Sequence, residues 1–159
     1  MLGILGRKLH SFARLPLFTK LWLLPLWVLL GISKAIIFTL SFSRLAPYLG
    51  QPMGVASWVP LLNAPQQERA RQIARAVQLA ARYTPWVSNC FPQAVAARLL
   101  LGWYAVPYAL YFGLMRDTQT QEIKAHAWVA AGRVAVTGGG SFAQFTVVSV
   151  FVAPRLVVA

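Results

Sequence analysis

Acidic side chains are almost missing from this chain. Glu68, Asp117 and Glu122 are the only three among 159 residues, against 15 Lys and Arg. Three scattered carboxylates exclude an EF-hand, a multi-carboxylate magnesium cage and a glycosidase pair with any redundancy. Cysteine occurs once, at Cys90, which excludes an internal disulfide framework and a Cys-rich zinc module. Charge is scarce altogether, at 11% against 58% hydrophobic residues, so the chain has ample material for a core and is not expected to be disordered. A long uncharged run is also lacking near the N-terminus. Leu21–Ser33 lies between Lys20 and Lys34 and falls short of the roughly 20 apolar residues that a membrane span needs. Extending it to Ser43 takes in Lys34 and keeps Pro25 inside, so an interfacial or core-docked helix is expected in preference to a span. A signal peptide fits poorly, because the apolar run begins late and no small-x-small site follows it. Gly138-Gly139-Gly140 lacks the Lys and the following helix of a phosphate-binding loop. No metal and no cofactor are expected on this chain.

What is present is positive charge, a formal +12. Such a surplus suits nucleic acid, an anionic membrane surface or an acidic protein or peptide. Residues 1–50 carry Arg7, Lys8, Arg14, Lys20, Lys34 and Arg44, no acid, and the most hydrophobic stretch of the chain. Basic residues spaced among Leu, Trp, Phe and Ile point to a membrane surface or a protein groove. No zinc finger or RNA-binding aromatic signature accompanies them, so nucleic acid is not an expected partner. With one unpaired cysteine the expected compartment is the cytoplasm, with peripheral attachment at the inner membrane.

Two regions are expected: a hydrophobic, basic, helical section over 1–60 and a second domain over 61–159. In the first, Pro16, Pro25, Gly31 and Pro47 are expected to break the helices, and a Pro/Gly-rich connector runs from Tyr48 to about Pro60. Asn63-Ala64-Pro65-Gln66 reads as a helix start, with an Asn cap, Pro in the first turn and Gln three residues on. That helix should reach Arg82, its apolar stripe formed by Ala70, Ile73, Ala74, Val77 and Ala81. A second helix starts near Ser88 or Asn89, because Pro92 is tolerated only in a first turn, and Gly102 is expected to stop it. Extended segments follow at 107–115, 123–130, 133–137 and 144–152. Helices followed by three or four antiparallel strands predict an α+β domain.

Cys90 thus falls near a helix N-terminus, where the helix dipole and unpaired N–H groups favour the thiolate and can stabilise an oxyanion. A small buried apolar residue is the other reading of a lone cysteine. His10 reads as a surface residue. His126, inside Lys124-Ala125-His126-Ala127-Trp128-Val129, shares a strand face with Lys124 and Trp128, while the alanines point the other way. Those alanines leave space for close approach, and a helix carrying Cys90 across this strand is expected to bring thiol and imidazole together. Such a pair would serve as nucleophile and general base. A structural histidine bonded to a neighbouring backbone group is the alternative.

The block Tyr83-Thr84-Pro85-Trp86-Val87-Ser88-Asn89-Cys90-Phe91-Pro92-Gln93-Ala94 is followed by a tyrosine-rich strand with Gly113, then Ala125-His126-Ala127-Trp128-Val129 and Val136-Thr137-Gly138-Gly139. Together these strongly resemble the lasso-peptide biosynthesis B protein family over roughly residues 65–150. The resemblance implies a papain-related, transglutaminase-like core with a nucleophile helix on an antiparallel sheet. It implies a cysteine peptidase that removes the leader from a ribosomally made precursor, with Cys90 as nucleophile and His126 as general base and acid. It also implies an asparagine-synthetase-like cyclase, which uses ATP to close the ring, and a separate leader-recognition protein, since residues 1–60 do not resemble that small domain. The family pattern places an Asp about a dozen residues after the His; here no acid follows Glu122. Asp117 folding back, Thr137 or a backbone carbonyl are the candidate replacements, and Cys–His pairs work with a neutral third partner. Two other readings use the same residues: a membrane-associated scaffold without activity, and acyl transfer to an amine.

Overall fold

A computed structural model describes residues 12–140 and 142–156; His10 lies outside them. The chain is α+β, with a five-stranded antiparallel sheet, helices on one face and an apolar helix at the N-terminal side. The helices are α1 (Leu17–Thr39), the single turn α2 (Phe42–Leu45), α3 (Ala64–Arg82) and α4 (Cys90–Trp103). The strands are β1 (Gln51–Pro52), β2 (Ala109–Arg116), β3 (Ile123–Ala131), β4 (Val134–Thr137) and β5 (Thr146–Val152), in the order β1-β5-β2-β3-β4.

Helix α3 begins where expected. The Asn63 side chain accepts from the Gln66 N–H at 2.9 Å and the Gln66 side chain accepts from the Asn63 N–H at 3.1 Å, a complete capping box. The N-terminal section differs from expectation. One helix runs straight through Pro25 and Gly31, Pro16 stands ahead of it as the cap, and Pro47 sits in a 3₁₀ turn over Ala46–Tyr48. Pro25 forfeits one backbone bond on an exposed side. Burial of Leu26 and Leu30 against α3 and α4 outweighs that loss. The end of α4 differs as well: Gly102 lies inside the helix, and Ala105 takes the left-handed conformation at φ 52°. The Val106 N–H reaches back to Leu101 O at 2.8 Å, and buried Val106 supplies the hydrophobic contact of this cap.

Small residues let the layers approach. Ala70, Ile73, Ala74 and Val77 of α3 and Ala94, Ala97 and Leu101 of α4 form one core with Leu26, Leu30, Leu110, Ala127, Val129 and Phe151. Helix α1 packs on α3 and α4 as an outer layer, tied down where the Trp22 indole N–H donates to Tyr104 Oη at 2.8 Å and the Trp27 indole N–H to Tyr83 O at 3.2 Å. The other sheet face carries a second, smaller cluster of Ala109, Tyr111, Trp128, Val150 and Val152, covered by Met53 and Trp58 of the connector and by Phe145. The two clusters follow the period-two alternation of the strands.

Candidate active site

The segment ahead of α4 is held locally. The Thr84 hydroxyl lies within bonding distance of Trp86 O (2.8 Å) and Ser88 Oγ (3.0 Å), and the Gln93 amide donates to Ser88 O at 2.8 Å. Cys90 follows as the first residue of α4, after Asn89 in an extended conformation, with Pro92 buried in the first turn. Its thiol is free and half-buried, against the main core on the helix side of the sheet. Backbone N–H groups of a first helical turn have no partner within the helix and are the donors available to an oxyanion there.

His126 lies on β3, opposite Gly113 of β2. Its ring stacks on Trp128 with centroids 5.7 Å apart and lies 4.9 Å from the Phe145 ring. Trp128 in turn stacks on Tyr111 and Phe142, so the imidazole ends a row of aromatic rings. Nε2 is 3.2 Å from Gly138 O. A carbonyl only accepts, so Nε2 carries the hydrogen, and in the neutral ring Nδ1 is the basic nitrogen. Gly138 comes twelve residues after His126, about where the resembled pattern carries its Asp. Its backbone is left-handed at φ 68°, and a Cβ there would stand 2.8 Å from His126 Nε2 and 2.7 Å from Trp128 Cβ.

Of the three candidate replacements for the missing acid, the structure uses the backbone carbonyl. Thr137 is buried and its hydroxyl accepts from the Val129 N–H at 3.2 Å, away from the imidazole. Asp117 stays in the β2–β3 turn. There it bonds Lys124 and accepts from the N–H groups of Gln119 and Thr120, and these contacts lower its pKa to about 2, the Lys124 bond most. Among the described residues no group of three or more His, Cys, Asp or Glu is placed to hold a metal.

The expected pairing of thiol and imidazole is not made by a hydrogen bond among the described residues. Helix α4 does lie across β3, but on its alanine face, where Ala127 and Val129 enter the same core as Ala94 and Ala97. The alternation that puts small residues under the helix turns His126 and Trp128 to the other side. The His126 ring thus lies with Trp128 and Phe145, while Cys90, at the tip of α4, packs against the main core; no hydrogen bond joins the two among the described residues. Sequence reasoning did not single out the Gly138 carbonyl or the rings of Phe142 and Phe145. The glycine run, part of the Val136-Thr137-Gly138-Gly139 block, was the available signal for the first, and it did not say which carbonyl faces the imidazole.

Residues 36–150 match the family model of the transglutaminase-like superfamily. No curated protein and no solved structure matches the chain. The family match spans well over half of the sequence and takes in α3, helix α4 with Cys90 and strand β3 with His126. The chain belongs to the transglutaminase-like superfamily.

Proposed function

We propose that this protein is a cysteine peptidase that removes the leader from a ribosomally synthesised lasso-peptide precursor. The observation that carries the reading is Cys90 at the first residue of α4 within a transglutaminase-like chain, together with the paired sequence blocks around Cys90 and His126. In this reading the Cys90 thiolate attacks the scissile carbonyl and N–H groups of the first turn receive the oxyanion. His126 takes the thiol proton on Nδ1 and delivers it to the leaving amine, and water then hydrolyses the thioester. Among the described residues no hydrogen bond joins the two side chains in the free protein, and in this reading they draw together when precursor binds. A separate leader-recognition protein presents the precursor. The asparagine-synthetase-like cyclase consumes the freed core with ATP, and the work takes place in the cytoplasm.

The test is to incubate precursor with the protein, with and without the leader-binding partner, and weigh the fragments. Free leader is expected from the unaltered protein and none from Cys90→Ala or His126→Ala; cleavage that survives either substitution overturns the assignment. A peptide–amine crosslink in place of free leader would mean acyl transfer by the same pair.

A non-catalytic scaffold is the second reading, favoured by the absence of a hydrogen bond between the two side chains and by the neutral partner at Gly138. Thiol alkylation in the presence of precursor separates the two. A peptidase shows Cys90 alkylation that slows when His126 is replaced by Ala, whereas a scaffold shows no dependence on His126.

A further inference from the structure

Helix α1 is apolar on two opposite sides. At about 100° per residue, Thr19, Leu26, Leu30 and Ser33 lie on one side, and these are its buried residues. Leu17, Leu21, Leu24, Val28 and Ile32 repeat every three or four residues along the other, with Leu17, Leu21 and Leu24 exposed by 71%, 65% and 70%. No described residue covers this stripe. Lys20 borders it, Lys34 lies farther round the helix over the Phe38 ring, Arg14 and Arg44 lie beyond its ends, and no acid occurs before Glu68. Beside it, a groove of about 360 Å³ opens between α1 and the end of α3, lined by Leu23, Leu24, Trp27, Ala80 and Tyr83 with Lys20 at its rim.

We infer that α1 is an in-plane membrane anchor whose outer stripe enters the interface of an anionic bilayer. Charge decides the occupant. The stripe is purely aliphatic and the charges around it are all positive; Lys20 bonds Ala13 O at 2.7 Å and Lys34 lies over Phe38, and both ammonium groups can turn to headgroup phosphates at a bilayer surface. A protein partner would be expected to meet hydrogen-bonding groups among the apolar ones, and the stripe offers none. Orientation follows from the inner side. The helix has 23 residues, long and apolar enough to cross a membrane. Crossing would strip Leu26 and Leu30 from the core and break the bonds of Trp22 to Tyr104 and Trp27 to Tyr83. Lying in the plane keeps all of these and covers the outer stripe. The inference does not depend on the peptidase reading.

Flotation of the full chain with vesicles tests it. Binding to phosphatidylcholine vesicles containing phosphatidylglycerol is expected, with weaker binding to phosphatidylcholine alone. Replacing Leu21, Leu24 and Val28 together by Gln should weaken both by about a thousandfold or more, with no change in thermal unfolding because all three are exposed. The Lys20→Gln, Lys34→Gln pair should weaken binding to the anionic vesicles by about thirtyfold and leave the neutral ones unaffected. Alkaline carbonate should release the bound protein. Failure of the unaltered chain to float with anionic vesicles overturns the proposal, including the case in which it sediments as a dimer through this stripe. Retention after alkaline carbonate overturns the in-plane arrangement in favour of a span.

Discussion

At the Gly138 position a backbone carbonyl stands in for a carboxylate. It accepts the Nε2 hydrogen of His126 at 3.2 Å and so fixes the ring's tilt and tautomer. It brings no negative charge to balance an imidazolium, which an Asp would do. The site has no room for a side chain: the backbone is left-handed, and a Cβ would press on both His126 and Trp128. Gly138→Ala is expected to cost about 1–3 kcal/mol and to displace the imidazole. A lowered melting temperature together with altered His126 ring resonances would check both. Cys90 and His126 were legible as candidates because a lone thiol before a helical proline and a histidine between alanines are local patterns. That a backbone carbonyl could replace the acid was legible; which carbonyl was not, because a main-chain group carries no mark in the sequence.

Among the elements, those governed by local chemistry are the ones the sequence describes well. Helix α3 starts at its Asn63–Gln66 capping box, and Asn63→Ala should destabilise the protein by about 1 kcal/mol, read as a fall in the denaturation midpoint. The β2–β3 turn is set by Asp117, whose carboxylate collects Lys124 and two backbone N–H groups. Its folded pKa, about 2, is below the unfolded value of about 3.9. The contribution to stability is therefore complete above about pH 4 and fades as pH falls through 2. The Gln119 and Thr120 amide resonances should titrate with that midpoint, and Asp117→Asn should abolish the transition. Where tertiary contacts overrule local preference, the sequence reading departs from the structure. Pro25 and Gly31 do not break α1 because its inner side is buried, and α4 passes Gly102 because Val106 reaches the core only from the later turn.

For the molecule as a whole, one core joins the N-terminal helix to α3, α4 and the sheet, so the exposed and buried sides of α1 should respond differently to truncation. Leu30→Ala is expected to cost about 2–5 kcal/mol by opening a cavity, whereas Leu24→Ala should leave thermal unfolding almost unchanged. Equal losses at the two positions would mean that the outer stripe is also covered in the free protein. The sequence by itself determined the α+β class, the cap of α3, the helix start at Cys90 and the positions of four of the five strands. Each of these follows from residue spacing and turn chemistry acting over a few neighbours. Only the tertiary structure decided which side of the sheet α4 covers. Strand alternation makes the two faces of β3 a choice between alanines and His126, and the helix takes the alanines because small side chains let it approach closely. That one packing decision leaves the His126 ring among Trp128 and Phe145, and no local pattern could have announced it.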